Sequence, residues 1–108
     1  MTTMSVGSGK GYAASLVAAL PYGLLGYQPY PGTLNVRASR GQPLLDLDGD
    51  PVEHDGARFW SVTINGHHGH VVRWKDDPRT DSYELVAPVS LRDTFGLKDR
   101  DRVDVQRR

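Results

Sequence analysis

The chain has 108 residues, with 13 basic and 13 acidic side chains and no formal net charge. That length suits one domain, and the charge balance removes the positive field expected of a general nucleic-acid binder. There is no cysteine, which excludes disulfides, thiolate metal sites and a cysteine nucleophile. No apolar run approaches the roughly 18 residues of a membrane span. Met1 to Gly11 lacks the basic and apolar blocks of a signal peptide, so a soluble cytoplasmic protein with no membrane or nucleic-acid partner is expected. With 12 glycines and 7 prolines, short strands joined by tight turns are favoured over a helical bundle.

Met1 to Ser5 reads as a loose terminus, followed by a flexible glycine loop over Gly7 to Gly11. A strand is expected to begin near Tyr12 and to pass into a short helical turn, which Pro21 and Gly23 limit. Gln28 to Gly32 holds two prolines and a glycine, so its backbone is extended and stiff. Thr33 to Arg37 reads as a strand with Leu34 and Val36 on one face and Thr33, Asn35 and Arg37 on the other. Gly41 to Gly56 is polar and turn-rich, a surface excursion. Phe59 to Ile64 alternates, with Trp60, Val62 and Ile64 on one face. Asn65-Gly66 is a hairpin turn, and His70 to Trp74 is the returning strand. A polar loop from Lys75 to Ser82 leads to a strand over Tyr83 to Ala87, stopped by Pro88. Ser90, with Asp93 three residues on, reads as an N-cap. Leu91, Thr94 and Phe95 would share a face of a short helix that ends at Gly96. Val103 and Val105 mark a last strand. About six strands and one or two short helices point to a small β-barrel.

Several stretches invite a chemical reading. The glycines at Gly7, Gly9 and Gly11 would let backbone N–H groups approach phosphate oxygens. The stretch lacks the Walker spacing, and with no strand expected before it and no long helix after it, a plain loop competes. Thr33 and Asn35 stand two apart on a strand and so point the same way. A hydroxyl and an amide carbonyl suit Mg²⁺ when phosphates bring the negative charge, although a polar strand face after a Pro-Gly turn needs no metal. His67, His68 and His70 have no cysteine or carboxylate close in sequence, so a solvated hairpin is expected rather than a metal site. Asp46, Asp48 and Asp50 fail the calcium-loop register because Pro51 holds the glycine position, which leaves a polar turn. Ser, His and Asp are present without a nucleophile elbow, so a hydrolase triad has no support.

Three segments resemble one known family. Gly7-Ser8-Gly9-Lys10-Gly11-Tyr12 is similar to the G-x-G-x-G-[YR] opening of archaeal-type CTP-dependent riboflavin kinases. Gly26-Tyr27-Gln28-Pro29-Tyr30-Pro31-Gly32-Thr33-Leu34-Asn35-Val36 resembles their G-[FY]-x-P-Y-P-G-T-L-N-[IV] segment, and this central match is the specific one. Glu84 to Arg92, reading ELVAPVSLR, resembles E-[IL]-[IV]-A-P-V-x-L-R, and the likeness runs on to Val103-Asp104-Val105. The segments occur in the family's order and span nearly the whole chain.

The resemblance implies a six-stranded cradle-loop β-barrel, a single kinase-like domain over 1–108. It implies CTP and riboflavin as substrates, FMN and CDP as products, and Mg²⁺ as cofactor. Residue by residue, Thr33 and Asn35 would ligate the metal. Gly7, Ser8, Gly9, Lys10, Gly11 and Tyr12 would wrap the nucleotide phosphates, and Val89, Ser90, Leu91 and Arg92 would hold the nucleotide from the other side. Glu84 would contact the flavin or its ribityl chain. The family's R-T-x-Y-P turn before that strand is replaced by Lys75 to Thr80. Either Arg79-Thr80 fill its role from a shifted loop, with Thr80 on the flavin side, or Asp76 stands at the threonine position. The stretch between Gly11 and Pro31 is about one helical turn shorter than the family's. No residue declares itself as a general base. Two other readings compete: a barrel that binds nucleotide or flavin without transfer, and a kinase of the same fold acting on another small alcohol. The oligomeric state is open, and a monomer is compatible with the sequence.

Overall fold

The computed structural model describes residues 2–7, 14–21, 23–39, 45–77 and 81–108. Among them the chain forms β1 (Thr2–Val6), α1 (Ala14–Ala18), β2 (Leu34–Ala38), β3 (Val52–His54), β4 (Ala57–Ile64), β5 (His67–Trp74), β6 (Ser82–Val86), α2 (Leu91–Phe95) and β7 (Arg102–Arg107). Hydrogen bonding follows the order β3-β4-β5-β6-β2-β1-β7, and β4 also pairs with β7. All pairings are antiparallel. Six strands therefore close into a barrel, and β3 is an extra strand on one edge.

The long strand β4 makes closure possible. Its first residues, Ala57 to Phe59, pair with β3, while Val62 to Ile64 pair with Arg107 to Val105 of β7. The interior is mostly aliphatic: Met4, Val6, Val36, Val62, Ile64, Val71, Leu85, Val103 and Val105 are buried in one cluster, which Tyr83 joins. A second cluster lies on the outer face of β4, β5 and β6. There Val17, Leu20 and Leu25, from α1 and the chain after it, cover Phe59, Val72 and Val86. These strands are buried on both faces, so strict alternation fails for part of their length.

The local chemistry explains most of the elements. Asn65 and Gly66 both have positive φ, 48° and 84°, the conformation of a type I′ hairpin turn. Asp55 and Gly56, at 48° and 80°, repeat that turn between β3 and β4. Ser90 caps α2, its side chain accepting from the Asp93 N–H, and Gly96 ends the helix with φ 62°. Leu91 is buried and Phe95 packs on the core, but Thr94, expected on the same face, is exposed. The Asp48 N–H donates to Asp46 Oδ1 at 2.9 Å, so this acidic stretch is a local turn.

Three expectations are corrected. The start of the chain is not loose: Thr2, Met4 and Val6 are buried and β1 sits between β2 and β7. A strand therefore does precede the glycine stretch. The excursion from Gly41 to Gly56 contains β3 and its hairpin, and Leu45 within it is buried. The return strand β5 starts at His67, three residues earlier than expected, because its register with β4 runs from Ile64↔His67 to Ala57↔Trp74.

Gly69 is required by close approach. A Cβ there would lie 2.5 Å from the Val86 carbonyl oxygen and 2.7 Å from Ile64 Cδ1. The oxygen belongs to the strand backbone and cannot move aside cheaply. Gly69→Ala is expected to destabilise the fold by about 1–3 kcal/mol, measured by denaturant unfolding; an unchanged midpoint would contradict this packing.

Candidate functional site

β2 begins opposite the end of β6, with Leu34 paired to Leu85. The residues before β2 and after β6 therefore leave the barrel at the same rim. The Tyr30 N–H donates to the Ala87 carbonyl at 2.8 Å, which ties the two exits together. β1 delivers Gly7 to this rim as well, its N–H donating to the Asn35 carbonyl at 2.9 Å. A cavity of about 200 Å³ opens here, lined by Tyr30, Gly32, Thr33, Leu34, Leu85, Ala87, Val89, Ser90, Leu91 and Arg92.

Beside this cavity lie three polar side chains. Asn35 and Glu84 are directly opposed on β2 and β6, and both alternate with inward aliphatic residues, so both point out of the barrel. Thr33 Oγ1 donates to Glu84 Oε1 at 2.7 Å. Glu84 is only 2 % exposed, and a buried carboxylate needs such donors. The hydroxyl has one proton and two lone pairs. With its proton on Glu84, its lone pairs are free to face a cation. Among the described residues no three His, Asp or Glu side chains are grouped to hold a metal ion. The oxygens that are present, a hydroxyl and an amide carbonyl beside one carboxylate, fit a Mg²⁺ ion that arrives on phosphates and keeps water in its shell.

Gly7, Thr33, Asn35, Glu84 and Val89 to Arg92, far apart in sequence, are thus brought to one rim. Ser90 is committed to capping α2. Arg92 lies 3.4 Å from Asp99 through Nη1 and also reaches the Leu97 carbonyl. Ser8 to Tyr12 and Thr80 lie outside the described residues.

The hairpin histidines differ from expectation. His67 is exposed, packed edge-on against Phe95 at 5.0 Å. His70 is only 5 % exposed, with Nδ1 2.9 Å from the Tyr27 hydroxyl. His68 is half-buried and shares a hydrogen bond with Ser61 Oγ at 3.1 Å. Burial first, then His68 and Arg108, pull the His70 pKa from its ordinary 6.5 down to about 4. Burial also pushes the Tyr27 phenol up, so its hydroxyl stays protonated.

Sequence reasoning missed Tyr30, Gly32, Tyr27 and His70. Tyr30 had a usable signal, since an aromatic held between Pro29 and Pro31 has little freedom to collapse onto the core. Its ring lies over Gly32, where an added Cβ would meet it at 3.3 Å. It remains 44 % exposed, as does Val89 at 41 %, both on the cavity.

The described residues thus form a closed six-stranded barrel with a cavity at one rim and hard oxygen donors near it. A family model headed CTP-dep_RFKase and described as "Domain of unknown function DUF120" matches residues 4–106. A curated riboflavin kinase of Pyrococcus abyssi is 34 % identical over 116 residues, covering 93 % of this chain and 54 % of its own length. Riboflavin kinases of Methanocella arvoryzae and Pyrobaculum aerophilum are each 34 % identical, covering 75 % and 76 % of this chain and 42 % and 46 % of their own. The chain belongs to this archaeal riboflavin kinase family, and it spans about half the length of the curated relatives it matches. No helix among the described residues is long and apolar enough to cross a membrane.

The lowered His70 pKa carries a sign. The unfolded chain protonates this residue near pH 6.5 and the folded chain only near about 4. Stability from the neutral ring is therefore complete above pH 6.5 and is lost as the pH falls from there towards about 4. His70→Asn, which does not titrate, is expected to show a shallower fall in melting temperature across that window. Parallel curves for the two proteins would contradict the burial of His70.

Proposed function

We propose that this chain is a riboflavin kinase that uses CTP, transferring the γ-phosphate to the riboflavin 5′-hydroxyl to give FMN and CDP. The observation that carries this reading is convergence: Thr33 and Val89 to Arg92 line one cavity, Glu84 accepts a hydrogen bond from Thr33, and Gly7 and Asn35 meet at the strand ends of the same rim.

The nucleotide base enters between Tyr30 and Val89. An aromatic face contributes about 1–3 kcal/mol per stacked base. The backbone bends at Pro88 and Val89, and with the Ala87 carbonyl taken by the Tyr30 N–H, the Val89 N–H and the Pro88 and Val89 carbonyls would face a pyrimidine edge. A purine would be rejected by size and by leaving such groups unpaired, at about 1–3 kcal/mol each. The phosphates run from the cavity towards Gly7, where the glycine stretch begins, and past Asn35. Thr33 Oγ1 and Asn35 Oδ1 would hold Mg²⁺, which when bound neutralises charge on the phosphates. Glu84 accepts a hydrogen bond from Thr33 on one side and, in this reading, orients the ribityl end of riboflavin on the other.

In the transfer, the 5′-oxygen forms a bond to the γ-phosphorus as the bond from that phosphorus to the β–γ bridging oxygen breaks. The hydroxyl proton is released and CDP leaves. Such a reaction is accelerated mostly by holding the two oxygens in line and by neutralising charge, which the fixed rim supplies without a dedicated nucleophile.

Incubation with riboflavin, Mg²⁺ and equal CTP and ATP is expected to yield FMN and CDP, with CTP favoured by tenfold or more, about 1.4 kcal/mol of discrimination. No FMN, or ADP formed in preference to CDP, would contradict the reading. Asn35→Ala is expected to keep the circular dichroism spectrum and to lose about tenfold or more of the activity; undiminished turnover would remove Asn35 from the site.

A further inference from the structure

Tyr27 and His70 meet on the outer face of the barrel, outside the cavity lining. The Tyr27 hydroxyl lies 2.9 Å from His70 Nδ1 and 3.2 Å from the Val86 carbonyl oxygen. It has one proton to give and lone pairs to accept with. Donation to Val86 leaves the oxygen to accept from His70 Nδ1–H, and this tautomer, assigned from the network, satisfies all three groups. The His68 ring completes the cluster, 5.3 Å from His70 and 5.4 Å from Tyr27.

The cluster stands where the pocket wall begins. Residues 27–33 contain neither helix nor strand, so the place of this segment depends on individual tethers. Three of them reach β6 and its exit in sequence: Tyr27 to the Val86 carbonyl, Tyr30 N–H to the Ala87 carbonyl, and Thr33 to Glu84. The Gly32 N–H closes back on the Tyr30 carbonyl at 2.8 Å. Pro29 and Pro31 remove backbone freedom between the tethers, so a shift at Tyr27 is carried to Tyr30 and Gly32 rather than absorbed.

We propose that Tyr27 and His70 are positioning residues for the nucleotide: their hydrogen bond fixes the Tyr30–Thr33 wall of the pocket without touching the ligand. This rests on the reading of the cavity as the nucleotide site. Among the described residues, the titratable and charged groups that face His70 are Tyr27, His68 and Arg108. Burial first, then His68 and Arg108, disfavour a second proton on the ring, which keeps it the neutral Nδ1–H donor at pH 7. Asparagine at position 70 can present an amide N–H where Nδ1–H stood, whereas leucine cannot.

The test compares the full chain with Tyr27→Phe, His70→Asn and His70→Leu. Two readouts are used: amide hydrogen exchange at Tyr30 and Gly32, and calorimetric affinity for CTP with Mg²⁺. In Tyr27→Phe and His70→Leu both amides should exchange faster by roughly tenfold, with Val71 and Val105 unchanged, and CTP affinity should fall by a similar factor. His70→Asn should behave as wild type in both. Wild-type exchange at Tyr30 and Gly32 in Tyr27→Phe would overturn the proposal. So would equal acceleration at Val71 and Val105, the signature of a general loss of stability. If the wild-type protein binds no CTP, the kinase reading falls, and the exchange comparison still decides whether the pair fixes this wall.

Discussion

Strand β7 hydrogen-bonds to β1 along one edge and to β4 along the other. This double pairing closes the sheet, and the rest of the arrangement follows from it. A six-stranded barrel has room inside only for its own side chains, and here the interior is filled mostly by aliphatic residues, with Tyr83 among them. Ligand chemistry has to sit on outward positions and at the rims. Alternation along β2 and β6 then sorts the residues: Val36 and Leu85 go in, while Asn35 and Glu84 go out and face each other across the ladder. The β1–β2 pairing brings Gly7 beside Asn35, although the two are far apart in sequence.

The outward face is not simply solvated. α1 and the chain after it cover Phe59, Val72 and Val86, and the continuing segment returns to β2 past Tyr27, Tyr30 and Thr33. Each of those three side chains or amides is tied to β6 or the residue after it. The pocket wall is therefore an irregular segment held by separate hydrogen bonds, on a barrel whose strands are held by continuous ladders. That contrast suits a site where a rigid scaffold carries loops that make the contacts.

Much of this was legible in the sequence, and what was missed shares a cause. The Thr33 to Arg37 alternation, the Asn65-Gly66 turn, the capped α2 and the last strand are local signals, and the structure has them all. From sequence alone β1 reads as a loose end, with polar Thr2, Thr3 and Ser5; its burial depends on β7, whose Val103 and Val105 lie at the far end of the chain. β3 was missed although Asp55-Gly56 carries the same turn signal as Asn65-Gly66, because only three residues of strand stand before it. His70 was expected in solvent because its partner, Tyr27, is 43 residues away. The hydrogen bond between Thr33 and Glu84 spans 51 residues. Family-like segments placed both residues near ligands, but only the closed barrel shows that they touch.

In the proposed function, one rim holds nucleotide and flavin together. A crystal structure of the protein with CDP, Mg²⁺ and FMN tests it most directly. The cytosine is expected between Tyr30 and Val89, the metal on Thr33 and Asn35, and the FMN phosphate facing the CDP phosphates on the Glu84 side. Ligands bound at another surface, or a metal held without Thr33 and Asn35, would contradict it.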